Sequence, residues 1–276
     1  MLTRDRRQLL DCIAQSFYKI YNSDNNADNQ CKNSRKLELK IESNGRVKAT
    51  AEYTCNVDLI HISSEMCVRI ENLFSNIYDD ECRNERLLRL AYCMLIAHEF
   101  AHLYNGSCQY KFINPDMPIN DIHCLEVQAE SFAASRLADF TISLIKKDER
   151  NEVVFLQDAA MAIIGISLIC LKSSNSLPYN NTHPPATIRS IYAFTNFERY
   201  SHFAHNRKIC FNSIILNNPS IEKKMIELNG GADLGFAEAI SCPQITEFYN
   251  NLEHNYTTNI KCELKQYTRM PLQSID

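Results

Sequence analysis

The alternation of apolar and polar positions divides the chain into a short β-forming stretch and a long series of helices. Leu9–Tyr21 carries apolar residues at helical spacing, and a polar Asn/Asp-rich stretch follows to about Ser34. Leu37–Glu42 and Arg46–Tyr53 flank Ser43-Asn44-Gly45, which predicts a β-hairpin turning at Asn-Gly. Val57–Ile62 sets Val57, Leu59 and His61 against Asp58, Ile60 and Ile62, the pattern of a third strand. Glu65–Ile77 reads as helix. Beyond it, Leu87, Leu88, Leu90, Ala91, Met94, Leu95, Ile96 and Ala97 are apolar almost all round, as expected of a helix central to its domain. Asp79-Asp80 supplies its N-cap, Glu81 and Glu85 its early negative charge, and Asn105-Gly106 its stop. Further helices are predicted over Asp121–Lys146 (capped by Asn120 or Asp121), Val153–Leu171, Ile221–Leu228 and Gln244–Glu253. The whole predicts an α+β fold, predominantly helical, with a small N-terminal antiparallel sheet.

Near the end of the apolar helix stand His98-Glu99-Phe100-Ala101-His102. Residues i and i+4 of a helix are only about 40° apart, so both imidazoles can reach one metal ion. Glu99, rotated about 100° from His98, misses the ion but can reach a water beside it. The pattern suits a zinc peptidase with two ligands and a general base in one turn. The bland alternative is a pair of satisfied core histidines.

The helix from Asp121 carries two glutamates in its apolar stripe. With Glu126 at zero on a helical wheel, Glu130 lies at about 40°, Ala133 at about −20° and Leu137 at about 20°. Gln128, Ser131, Ser135 and Asp139 gather on the other side. Burying two unpaired carboxylates would cost several kcal/mol each, so something cationic should face them. A zinc ion on His98 and His102 would do so for Glu126, while Glu130, one turn on, could orient a ligand histidine from behind.

HEFAH followed by Glu126-Val127-Gln128-Ala129-Glu130 resembles the gluzincin metallopeptidases, whose pattern is HExxH and then ExxAD or ExxAN. The resemblance implies a zincin-like fold with Glu126 as third zinc ligand. Glu130 stands where Asp or Asn is usual, which leaves its role open between orienting a histidine and competing for the ion. Glu130-Ser131-Phe132-Ala133-Ala134 is similar to the continuation in ImmA-type phage-repressor peptidases. Thr182-His183-Pro184-Pro185-Ala186-Thr187-Ile188-Arg189 resembles the HPPxxxR element of HtpX-type and CAAX-type peptidases. Two prolines fix a helix start there, presenting His183 at its mouth with Arg189 under two turns on. These two could stabilise an oxyanion or position Glu126 and Glu130; the alternative is an ordinary helix start with a surface histidine. Together the matching pieces run from about Cys82 to Arg199, somewhat under half the chain. Overall the chain is similar to the Lit-type phage-exclusion peptidases, soluble bacterial proteins whose members act on a translation elongation factor.

Composition narrows the setting. Only 6 Gly and 8 Pro in 276 residues support a helical fold, and one core can serve a chain of this length. A net charge of −4 without a basic tract gives no footprint for nucleic acid. The 12 cysteines form no CxxC pair, and the N-terminus Met1-Leu2-Thr3-Arg4-Asp5-Arg6-Arg7 is not the apolar run of a secretion signal. Free thiols in a reducing compartment are expected, and sequons at Asn105, Asn180 and Asn255 carry no information. In the Val153–Leu171 segment, Gln157 and Asp158 leave an apolar stretch shorter than the roughly 20 residues a bilayer needs, so a buried core helix is expected.

The expectation is thus a single metallopeptidase domain over 1–276, with a catalytic core at 35–200 and a helical extension at 201–276. It would be a soluble, cytoplasmic zinc endopeptidase holding one Zn2+ per chain through His98, His102 and Glu126. Glu99 would be its base, His183 and Arg189 catalytic helpers, and a protein or peptide its substrate, in phage exclusion or a stress response. By resemblance Val57–Ile62 would be the edge strand that receives an extended substrate, a structural strand being the alternative; His61 and His123 are read as bystanders. A catalytically silent binding or regulatory module on the same fold is the competing expectation.

Overall fold

The computed structural model describes residues 4–23, 36–43, 45–54, 57–172, 186–216, 219–228 and 243–264, with Gly231 and Gly235. In chain order the elements are α1 (Arg4–Ser23), β1 (Lys36–Glu42), β2 (Ala49–Tyr53), β3 (Val57–Ser63), α2 (Ser64–Phe74) and α3 (Glu81–Tyr104). There follow α4 (Ser107–Ile113), α5 (Ile119–Lys147), α6 (Glu152–Lys172), α7 (Ala186–His205), α8 (Phe211–Leu216), α9 (Pro219–Leu228) and α10 (Pro243–Asn255). The fold is α+β and mostly helical, as the hydrophobic pattern predicts.

The sheet departs from the expected pairing. Its order is β1-β3-β2, with β1 parallel and β2 antiparallel to β3, so the sheet is mixed and β1 and β2 form no hairpin. Two features account for this. Ile60 and Ile62 are almost wholly buried, so β3 takes the centre, where both flanks are covered. The Gly45 N–H, at φ +71°, donates to Glu65 Oε1 at the start of α2 instead of closing a two-residue turn. The connection therefore runs past β3, and β2 arrives on its far side. A central strand has no free edge, so Val57–Ile62 cannot receive an added peptide strand; the sheet's edges are β1 and β2.

Helix α3 is the axis of the molecule. Asp80 caps it by accepting from the N–H groups of Cys82 and Arg83, and Asn105 and the left-handed Gly106 end it. Nearly every residue from Leu87 to Tyr104 is buried, against α5, α6, α1 and β2. Helix α5 begins at Ile119, after Pro118, rather than at the expected Asn120 or Asp121 cap. Proline has φ preset and no N–H to lose there, so it opens the helix sooner.

Helix α6 packs against α3 and α7. By length and composition, Glu149–Ile169 could cross a membrane, but 78% of its most apolar 18-residue window is buried inside the fold. Its one fully buried acid, Asp158, is gripped by Arg83 Nε and Arg86 Nε, each at 2.8 Å. A satellite cluster joins Cys124, Leu125 and Val127 of α5 to Leu252, Ile260 and Leu264, so the C-terminal segment covers the part of α5 that carries Glu126. The described cysteines are all free.

Candidate metal centre

The last two turns of α3 carry His98, Glu99 and His102, and the two imidazoles meet the side of α5 that carries Glu126 and Glu130. All five are between 2% and 8% exposed, so the two glutamates are buried, as their place in the apolar stripe predicts. Three donor atoms converge. His98 Nε2 and His102 Nε2 are 3.2 Å apart, and Glu126 Oε2 lies 3.3 Å from the first and 3.4 Å from the second. Zinc bonds of roughly 2.0–2.1 Å at tetrahedral angles put neighbouring donors about 3.3 Å apart. The three atoms thus form one face of a tetrahedron of the right size, and this buried group can hold a metal ion.

Behind it stands a second row of charges. Glu130 Oε2 is 3.0 Å from His98 Nδ1 and 2.7 Å from Arg189 Nη2 on α7, with Arg189 itself buried. A carboxylate behind a ligand imidazole fixes the ring and raises its basicity. Arg189 is therefore placed against Glu130, one of the two partners that the sequence offers it. His183 lies outside the described residues. Burial alone would raise the Glu130 carboxyl, but Arg189 and His98 outweigh it and hold it at about 2.

The two imidazoles titrate apart. Burial opposes a proton on His98, yet Glu126 and Glu130 together push it up to about 10 in the absence of an ion. His102 is lowered, because its burial exceeds the help it gets from Glu126, and Lys111 and His98 repel its charge.

Several contributors escape sequence reasoning. Lys111 Nζ on α4 sits 2.8 Å from Glu126 Oε1. Nothing in the sequence singles out this lysine, whose place depends on how α4 packs after the left-handed Gly106. The half-buried Cys108 thiol is pushed up to about 12 by burial, against Lys111 and with Glu99, Asp58 and Glu126. Tyr192 and Tyr249 stack with centroids 4.7 Å apart and line a small cavity with Glu126, Glu130 and Arg189. His61 pairs instead with Glu52 on the sheet, at 3.0 Å, and His123 meets the ring of Phe248; neither belongs to the donor set.

Comparison of the chain with protein-family models, curated proteins and solved structures gives no match. Function must therefore be read from the donor geometry.

Proposed function

We propose that the chain is a zinc-dependent endopeptidase of gluzincin type, with His98, His102 and Glu126 as the metal-holding residues. The observation that carries this reading is the triangle of buried donors, with edges of 3.2, 3.3 and 3.4 Å. Two imidazoles and one carboxylate are the donor set of zinc peptidases and leave one position for water or substrate. A bound zinc ion supplies Lewis acidity, polarising a peptide carbonyl and making water a nucleophile near pH 7. Glu99, one residue from His98 and buried beside it, accepts the proton of the attacking water and returns it to the leaving amine. Glu130 holds the His98 ring, and Arg189 holds Glu130. His183, by resemblance, would donate to the developing oxyanion.

The resemblance to Lit-type peptidases extends the proposal to a cytoplasmic enzyme of phage exclusion or a stress response that cleaves another protein. The second reading is a silent binding or regulatory module. On its side stands the charge balance: Lys111 and a protonated His98 can already offset Glu126 and Glu130 without an ion.

The test is Glu99→Gln in the full chain, purified without chelators, with cleavage read from proteins that shorten when the chain is expressed. The variant should keep about one zinc per chain and lose cleavage. Cleavage that survives removes Glu99 from the mechanism, and a wild-type chain without zinc removes the enzyme reading altogether.

A further inference from the structure

The two oxygens of Glu126 have different partners. Oε2 faces both ring nitrogens, while Oε1 faces the Lys111 ammonium at 2.8 Å. Lys111 reaches this position through local constraints that follow from its short helix. Gly106 adopts φ +79° between α3 and α4, and α4 packs on α3 and β2. Helix α4 is then tied on two sides. Cys108 Sγ lies 3.6 Å from the Ala51 carbonyl of β2, and Tyr110 Oη donates to Glu263 Oε2 at 2.5 Å. The backbone that carries Lys111 is thereby fixed, and its side chain, about one-third exposed, ends against a carboxylate that is nearly sealed from water.

We infer that Lys111 is a positioning residue for the metal centre, holding Oε1 of Glu126 so that Oε2 alone is offered to the ion. The inference rests on the endopeptidase reading and adds a residue to it. A carboxylate free at both oxygens can rotate or offer both to a cation, which loosens the three-atom face and uses a position meant for water or substrate. A hydrogen-bonded ammonium removes that freedom. The opposing effect is electrostatic: a fixed positive charge repels an incoming divalent ion. The two effects predict opposite signs for removal of the lysine, which makes the question decidable.

The experiment compares wild-type chain with Lys111→Met and Lys111→Arg, using zinc alone as ligand in competition with a chromophoric chelator. Thermal unfolding of each variant establishes that it is folded. Partners that orient metal ligands are worth about 10–100-fold in affinity. Lys111→Met should therefore bind zinc at least about tenfold more weakly, with Lys111→Arg restoring most of the loss. With cobalt in place of zinc, the visible absorption of Lys111→Met should fall as Glu126 offers both oxygens and coordination number rises. A Lys111→Met chain that binds zinc as tightly as wild type, or more tightly, overturns the inference and leaves the endopeptidase reading standing. Wild-type chain that takes up no zinc overturns both.

Discussion

Arg189 of α7 reaches Glu130 of α5 at 2.7 Å, and both side chains are all but sealed from water. The pair joins the two helices directly behind the His98 ring. Breaking it from the Arg189 side leaves Glu130 with His98 as its remaining cationic neighbour, so the cost lies toward the lower end of the roughly 3–5 kcal/mol of a wholly stranded buried charge. Arg189→Met should therefore destabilise the chain by about that much, read from urea-unfolding midpoints. Adding Glu130→Gln to the same chain should recover part of the loss, because the stranded charge is gone. A single variant within about 1 kcal/mol of wild type would show that the pair does not brace the helices.

The same pair sets an acid limb. Glu130 is held at about 2, below its ordinary 4.5, because Arg189 and His98 outweigh its burial. A folded-state value below the unfolded one stabilises the fold fully above the unfolded value, and the gain is lost as pH falls toward the folded one. In zinc-free protein, the stability advantage of wild type over Arg189→Met should shrink between about pH 4.5 and 2. An advantage constant across that window would detach Glu130 from the effect.

How much of this was legible in the chain depends on the range of the interactions. Asp80, Asn105 and the apolar run of α3 are local signals, and they placed the helix ends. His98, His102, Glu126 and Glu130 were legible because helical periodicity put each pair on one face, and only the approach of α3 to α5 had to be supplied. The hairpin that Asn-Gly predicts does not form, because the signal holds only if its N–H closes the turn, and Gly45 gives that N–H to Glu65, 20 positions away. Lys111 is invisible for a related reason: its pairing with Glu126 follows from the packing of α4 on α3 and β2, which sequence spacing does not encode. Asp158 read as an interruption of an apolar segment, and only the fold brings Arg83 and Arg86 to it.

Zinc uptake should release a proton. A ligand imidazole must be neutral, and without an ion His98 is raised to about 10 by Glu126 and Glu130 against its burial. His102, lowered chiefly by burial, is already neutral at pH 7 and gives up none. Calorimetric titration with zinc in two buffers of different ionisation heat should thus report at least about one proton released per ion, that of His98, with any ionisation of a zinc-bound water adding to it. Apparent affinity should rise about tenfold per pH unit between pH 6 and 8, where His98 stays protonated in the free protein. A titration with no proton release would show that His98 is neutral before zinc arrives.

Asp158 separates fold from chemistry. Its fully buried carboxylate takes 2.8 Å bonds from Arg83 and Arg86, tying the start of α3 to α6. Asp158→Ala leaves two guanidinium groups facing an apolar helix and should cost about 3 kcal/mol in urea unfolding. The zinc content of the folded protein should stay at that of wild type, since neither arginine touches the donor set. Loss of zinc from a still-folded variant would mean that the α3–α6 contact also sets the histidine geometry.

Gly165 is where α6 meets α2 without room for a side chain. A Cβ there would stand 2.2 Å from Cζ and 2.7 Å from Cε1 of Phe74, whose ring is wholly buried. Alanine would ordinarily favour a helix interior over glycine by about 1 kcal/mol. Overpacking costs about 1–3 kcal/mol, and a ring with no free space can yield only by shifting α2. The clash should win, so Gly165→Ala should lower stability rather than raise it. Gly165→Ala combined with Phe74→Leu should be less destabilised than the sum of the two single variants, as the smaller side chain receives the new methyl. Strict additivity in thermal or urea unfolding would place the cost of the alanine elsewhere than at the Phe74 ring.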